Sequence, residues 1–379
     1  MANVGFWAAA LFFHGGLIAV CGLLLRRWMG SAGTRTGSRL LLQALGDAAV
    51  FLGATVILAC LATGFGPLSG FTTLRLVSQA LFGEGIVMSG IMAGLLWRSR
   101  RGTLAAFASL LPLGLLAVYA EAYHREPRDL RVRSHEVDLT RSPARGKLRL
   151  LHLSDIQTHR VSGYEERVVS RAMALGPDLI VLTGDYIQPR LAPTRSQARN
   201  DLKALLRRTG FGAPLGVFAV RGDVDIDWPE VLEGTGARLL SDSSNRIALP
   251  GGVHLTITGL APGTSRGHGG ERLKALLRGA PRDDLRLVLG HNPNFVRHLG
   301  GTGLADLALA GHTHGGQVVL PWLGAPYTKT RLPARYASGL HDYQGIRLHV
   351  SAGVGMERGT APQIRFLCPP EICLLEITY

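Results

Sequence analysis

Apolar residues fall into two rhythms along this chain. In the first third they form four long stretches, Val4 to Leu25, Leu40 to Phe65, Val77 to Trp97 and Thr103 to Ala120. Each is close to the about 20 residues that cross a bilayer as a helix. They are apolar nearly all round, whereas helices of a soluble bundle keep a polar face. The opening stretch lacks a basic start and three more follow it, so it reads as a span and not as a signal peptide. Farther on, the runs shrink to strand length: Leu148–Leu153, Leu179–Leu182, Gly216–Val220, Leu285–Leu289 and Ala308–Ala310. Mostly apolar runs of this length fit strands buried on both faces. Helical segments alternate with them at Tyr164–Ala174, Arg195–Arg207 and Glu271–Leu277. The runs Val253–Leu260, closed by Ala261-Pro262-Gly263, and Arg347–Ser351 point to a second sheet. The expected organisation is four transmembrane helices over 1–121, a linker over 122–146 with Pro127 and Pro143, and an α/β domain over 147–379.

Charge adds an orientation. The formal net charge is +14, and many of the basic residues lie in loops near the spans, where they favour anionic lipid headgroups. Nucleic acid is not expected as a partner, because no recognition motif or basic helix accompanies the charge. Arg26, Arg27, Arg35 and Arg39 follow the first span, and Arg98, Arg100 and Arg101 the third, against Arg75 alone after the second. The positive-inside rule then places the first and third loops in the cytoplasm, and the α/β domain outside it. Arg125, Arg128, Arg131 and Arg133 after the fourth span pull the other way. Asp47 and Glu84 read as interfacial residues near span ends, and His14 shows no partner in sequence. Four cysteines do not make a disulfide framework; a Cys368–Cys373 bridge is left open should the domain be exported.

The chemistry lies where the strands stop. Ala308-Leu309-Ala310 ends in Gly311-His312-Thr313-His314-Gly315-Gly316, so two imidazoles share one face of an extended segment. The first run leads into Asp155, with Gln157 and His159 beyond; the second into Asp185; the third into Arg221, Asp223, Val224 and Asp225; the fourth into His291. Any one Asp after a strand reads equally well as a helix cap or turn residue. Five strand ends delivering carboxylates and imidazoles together point to one site at the sheet's carboxyl edge. Oxygen and imidazole donors suit Mn, Fe or Zn better than Ca. Two such ions about 3.5–4 Å apart clamp a phosphate group.

These motifs and their order resemble those of the calcineurin-like metallophosphoesterases: Asp-x-His, Gly-Asp, Gly-Asn-His-Asp/Glu, His and Gly-His-x-His. The resemblance covers residues 147–379. Gly311 to Gln317, Leu320-Pro321, Val350 to Gly355, Pro362 to Phe366 and Pro370-Glu371-Ile372 are similar to the bacterial membrane-associated phosphodiesterase branch, related to UDP-2,3-diacylglucosamine hydrolases. The resemblance implies an αββα sandwich and two divalent metal ions (Mn, Fe or Zn) bridged by Asp185. One ion is then held by Asp155, Asp185, His314 and the residue at 157, the other by Asp185, Asp223, His291 and His312.

Three positions depart from the family pattern. Gln157 stands where His is usual and is a weaker ligand, with His159 as a candidate replacement. Asp223 stands for Asn and keeps the oxygen. Val224 stands where many members carry a His that protonates the leaving oxygen, assistance worth about 10²–10⁴ in rate. Some phosphodiesterases of the superfamily also lack that His, so good leaving groups are favoured. Asp185, Asp155 and Arg221, the last as a phosphate contact, are the expected catalytic residues. The expected function is a membrane-anchored phosphoesterase that hydrolyses phosphodiester or diphosphate bonds by a metal-activated hydroxide. Tethering at the lipid bilayer points to a lipid-linked substrate. The alternative is a catalytically silent metal-binding scaffold at the membrane; retention of Asp155, Asp185, His291, His312 and His314 argues against it.

Overall fold

Helices α1 (Ala2–Ser31), α2 (Gly37–Gly64), α3 (Gly70–Ala80), α4 (Ile86–Arg98) and α5 (Gly102–Ala120) make up the first third of the molecule. In this computed structural model, residues 2–31, 37–64, 70–140, 146–188, 192–226, 228–359 and 361–379 are described. Arg35, Phe65 and Pro143 of the sequence reading lie outside them. A π-helical turn, Leu81–Gly85, joins α3 to α4. Four continuous stretches, Trp7–Gly30, Leu42–Ala62, Gly70–Arg98 and Gly102–Arg128, are long and apolar enough to cross a membrane.

Two features of this helical unit suit a lipid surround. Large apolar side chains such as Leu11, Leu23, Leu42, Ile57, Phe107 and Leu110 are exposed, which water would penalise and hydrocarbon does not. Polar side chains between the helices are paired. His14 Nδ1 lies 2.6 Å from Glu84 Oε1, and Trp28 Nε1 donates to Asp47 Oδ2 at 2.7 Å. Glu84 thus has a partner near the midpoint of the third stretch, in a helix that begins at Gly70, ahead of the apolar run that announced it. Phe13, Leu17, Ala59, Ala62 and Leu76 fill the space between helices.

By its internal contacts the chain divides into Met1–Arg125 with Glu357–Gln363, and Glu126–Met356 with Ile364–Tyr379. The second unit is built on β1 (Arg131–Asp138), β2 (Lys147–Leu153), β3 (Leu179–Leu182), β4 (Val217–Ala219), β5 (Arg238–Leu239), β6 (Ser243–Ala248), β7 (His254–Gly259), β8 (Leu285–Leu289), β9 (Leu307–Ala310), β10 (Gly339–Tyr343), β11 (Ile346–Val350) and β12 (Glu371–Thr378). One sheet runs β1-β12-β2-β3-β4-β5 and the other β10-β11-β9-β8-β7-β6. Within them β2, β3, β4 and β5 are parallel, as are β7, β8, β9 and β11. The five site-bearing strands therefore end on the same side of their sheets.

Alternation along each strand sets the layers. Leu148 and Leu150 of β2, Leu375 and Ile377 of β12, Leu285 and Leu287 of β8 and Leu307 and Leu309 of β9 interleave between the sheets. Burying each leucine stabilises the fold by about 1.5–3 kcal/mol. On the outer face of the first sheet, Val168, Val169 and Ala172 of α6 (Gly163–Ala174) and Leu202 and Leu205 of α7 (Ala192–Arg208) pack against Leu151, Ile180 and Ala219. α6 opens with a capping box in which Ser162 and Glu165 satisfy each other's backbone N–H. Leu273 and Leu277 of a later helix (Gly270–Arg278), with Phe295 and Val296, cover the other sheet. Helix, sheet, sheet and helix are thus stacked, the αββα order the resemblance implies.

The expected linker is corrected in part. Arg131–Asp138 within it is an edge strand paired in parallel with all of β12. Its charged, mostly exposed pattern hid it from an argument based on apolar runs. Cys368 and Cys373 are both free thiols, so no bridge joins them.

Candidate metal centre

β2, β3, β4, β8 and β9 each stop within two to four residues of an expected ligand, and the turns that follow are sharp. Asp155, Gln157, Asp185, His312 and His314 all have positive φ, between 41° and 71°. Such left-handed backbone costs about 1–2 kcal/mol per residue, and its concentration here marks a site the rest of the fold holds in place. The turns touch through their main chains. The amides of Asp155 and Gln157 donate to the carbonyls of Gly184 and Asp185, at 3.0 and 2.8 Å. Gly222 has to be glycine, because a Cβ there would collide with the carboxylate and backbone of Asp185.

Around these turns the side chains converge. Asp155, Asp185 and His291 offer ligand atoms within 4.8 Å of one another, as do Asp223, His291 and His312. His314 Nε2 lies 3.5 Å from Asp155 Oδ1. Gln157 is fully buried, and its amide nitrogen donates to Asp185 Oδ2 at 2.8 Å. His159, the candidate replacement for a histidine at 157, is exposed two residues beyond. Arg221 is exposed as well. The arginine that reaches the centre is Arg266, whose Nη2 donates to Asp223 Oδ1 at 2.6 Å.

Hydrogen bonds fix which ring nitrogens face inward. His291 Nδ1 lies 2.7 Å from the Thr183 carbonyl, which can only accept, so that nitrogen carries a proton and Nε2 points to Asp185 at 3.3 Å. His312 Nε2 likewise donates to the Lys329 carbonyl at 3.2 Å, leaving Nδ1 against Asp223 Oδ2 at 3.1 Å and His291 Nε2 at 3.2 Å. Two imidazole nitrogens and three carboxylates therefore converge with their other atoms already bonded. That is the donor chemistry a divalent ion requires, outer partners included.

The electrostatics agree. Burial raises Asp155 to about 7 despite the opposing pull of His291. Burial also opposes ionisation of Asp185, but the charge and hydrogen bond of His291 outweigh it and hold that carboxyl well below the usual range. For His291, burial is overcome by Asp185, Asp155 and Asp223, and its pKa stands at about 10. Burial dominates at His312 and lowers it. Concentrated negative charge is thus met by a proton on His291, a role that a divalent cation bound to the same nitrogen fulfils.

Asp225 was present in the motif but not understood from it. Fully buried, it accepts the amides of Asp185, Tyr186 and Gly222 at 2.7–2.8 Å, tying two ligand-bearing turns together. Burial, then the charge of Asp185, raises it to about 7. Ser154 and Thr183 were also passed over. Thr183 Oγ1 donates to Ser154 Oγ, which donates to Asp155 Oδ2, both at 2.6 Å.

Two mixed sheets between helical layers, with carboxylates and imidazoles gathered at the strand ends, define a metallophosphoesterase fold. Residues 148–316 match the family model of the calcineurin-like phosphoesterases, and over that span the chain is a calcineurin-like phosphoesterase domain, that of a phosphoester hydrolase. It is 28% identical over 288 residues to the uncharacterized metallophosphoesterase YkoQ of Bacillus subtilis, covering 72% of this chain and 100% of that one. To the phosphodiesterase YaeI of Escherichia coli it is 29% identical over 238 residues, 60% of this chain and 82% of the relative. To the UDP-2,3-diacylglucosamine pyrophosphatase LpxG of Chlamydia trachomatis it is 24% identical over 338 residues, 73% and 98% of the two chains.

Proposed function

We propose that this protein hydrolyses phosphodiester or diphosphate bonds at a dinuclear centre shared through Asp185. The observation that supports the reading is a pair of donor groups, Asp155-Asp185-His291 and Asp223-His291-His312, that meet at His291, whose Nε2 lies 3.3 Å from Asp185 Oδ2. In it, Asp155, Gln157, Asp185 and His314 hold one ion and Asp185, Asp223, His291 and His312 the other. When bound, such ions supply Lewis acidity toward phosphate oxygens and lower the pKa of water.

The protein's own groups set the rest. The carbonyls of Thr183 and Lys329 hold the rings of His291 and His312, and Asp225 holds the amide of Asp185, so the ligands keep their orientations. Val224 offers only its backbone N–H, which donates to Asp185 Oδ1 at 3.0 Å, so the chain provides no proton for the leaving oxygen there. Substrates whose leaving group departs as a stable anion, a diphosphate or an aryl ester, suit such a site. Arg266, bonded to Asp223, joins Arg221 as a candidate phosphate contact. Gln157 completes the first site through its carbonyl oxygen, once the amide turns about its terminal bond. The domain shares its chain with four membrane-length helices, and one relative is named for a diacylated sugar nucleotide, which together support a lipid-linked substrate; an extracytoplasmic domain rests on the arginines after the first and third stretches alone.

The test is Mn²⁺-dependent hydrolysis of a nitrophenyl phosphodiester by the full chain in detergent, with Asp185→Asn as control. Cutting at residue 147 is avoided because β1 precedes it. Metal-dependent turnover absent from the control supports the reading. Full activity in Asp185→Asn would sink the bridging assignment, and no turnover by a folded, metal-loaded chain would favour the silent scaffold.

A further inference from the structure

A second polar cluster lies between the two sheets, among side chains that phosphoester hydrolysis does not use. Three neighbouring strands contribute His135 (β1), Cys373 (β12) and His152 (β2), and β11 of the opposite sheet contributes His349. Cys373 pairs in register with His152 across β12 and β2. Val137, Leu150, Leu309 and Leu375 share this interior. His152, His349 and Cys373 are fully buried, and the His349 ring lies between those of His152 and His135, with centroids 5.1 and 5.5 Å away.

The hydrogen bonds leave only one arrangement of protons. Asp155 accepts from Ser154, which accepts from Thr183. The Thr183 oxygen must then accept, and His152 Nε2–H donates to it at 2.8 Å. Two ring nitrogens 2.8 Å apart share a single proton, one donating and the other accepting. His152 Nδ1 is therefore bare and takes the proton of His349 Nδ1 at 2.8 Å. That leaves His349 Nε2 as a bare, buried nitrogen with no hydrogen-bond partner, and His135 Nε2 is buried without one too. Leaving such atoms unsatisfied costs about 1–3 kcal/mol each. One nitrogen from each of these two rings and the Cys373 sulfur lie within 4.8 Å of one another.

We propose that His135, His349 and Cys373 form a second metal site, separate from the phosphoesterase centre, that takes a thiophilic cation of the Zn²⁺ class. Two imidazoles and a thiolate are borderline-to-soft donors and offer no carboxylate to Mg²⁺, Ca²⁺ or Mn²⁺. In a tetrahedral zinc shell, ligand atoms stand about 3.3–3.8 Å apart, so small rotations close the group. Of the three, His135 also lines a cavity of about 330 Å³, together with Arg133, Ser338, Cys368 and Glu371. Arg133 does not repel a cation there, because Glu371 neutralises it at 3.0 Å. The ion pins edge strand β1 to the opposite sheet.

Cobalt is the probe, since the proposed catalytic ligands include no sulfur. The full chain in detergent, loaded with Co²⁺, is expected to show a thiolate-to-cobalt charge-transfer band in the near ultraviolet. The band should vanish in Cys373→Ala and persist in Cys368→Ala. No band in the parent, a band retained in Cys373→Ala, or one lost in Cys368→Ala would overturn the proposal. Should Cys373→Ala fail to fold, His135→Ala at the half-exposed edge gives the second reading. It is expected to weaken Zn²⁺ binding, titrated against a chromophoric chelator, more than about tenfold while Mn²⁺-dependent hydrolysis persists; unchanged Zn²⁺ affinity overturns the assignment.

Discussion

The two halves of the proposed metal centre are built to different standards. Around Asp155, every neighbour is buried and most restraints are main-chain: the carboxylate takes the His312 amide at 3.1–3.2 Å and the Ser154 hydroxyl. Around Asp223, two imidazoles and Arg266 do the holding, and the carboxylate keeps some exposure, 15%. Burial has raised Asp155 to about 7, whereas the neighbouring histidines overcome burial and hold Asp223 low. The enclosed half thus gains more from a cation, yet carries the weaker ligand, Gln157. Rigidity and ligand strength have been traded between the halves, and the two ions are expected to bind unequally.

Asp185→Asn is expected to abolish the comparison, because in the proposed centre both halves share that carboxylate. It is expected to lower kcat by more than about 10³, roughly 4 kcal/mol of transition-state stabilisation, and to reduce bound metal by mass spectrometry. Val224→His tests the open half. Supplying an acid there is expected to speed an alkyl phosphodiester by up to about 10² while leaving a nitrophenyl ester nearly unchanged; equal effects on both would refute a role in leaving-group protonation.

Acidity separates the halves further. Metal uptake displaces the proton of His291, whose pKa is about 10, and below about 7 also that of Asp155. Both are raised above their ordinary values, so protons compete from the low-pH side and affinity climbs with pH. The expected slope is about two decades per unit below pH 7 and about one above it, read by calorimetry in buffers of different ionisation enthalpy. A flat profile would mean that neither proton is displaced. Gln157→His should have the smallest effect, tightening the enclosed site about tenfold without altering the other; equal tightening of both would mean the halves are not separable.

Much of this candidate centre was legible because its donor residues announce themselves locally. An apolar run that halts at Asp185, Asp223 or His312 needs no partner to be recognised. What escaped depended on neighbours in space. β1 reads as charged linker because an edge strand buries little of itself, Val137 alone being fully enclosed. Asp225 looked like one more turn residue, since three amides from distant segments give it its place. His135, His349 and Cys373 lie on three strands far apart in the chain, with no spacing to betray them. His14 and Glu84 met the same fate across 70 residues.

The main-chain bonds of the centre decide when its order is acquired. Asp225 fastens the amides of 185, 186 and 222, while those of Asp155 and Gln157 reach Gly184 and Asp185, and none of these bonds uses a ring nitrogen or a ligand carboxylate. Fixing one residue's backbone takes about 1–2 kcal/mol of conformational entropy, and here it is lost on folding and not on ion capture. The cradle is preorganised, so chelation is expected to leave amide hydrogen exchange at residues 184–186 unchanged. An ion that departs leaves behind a mould that keeps its shape.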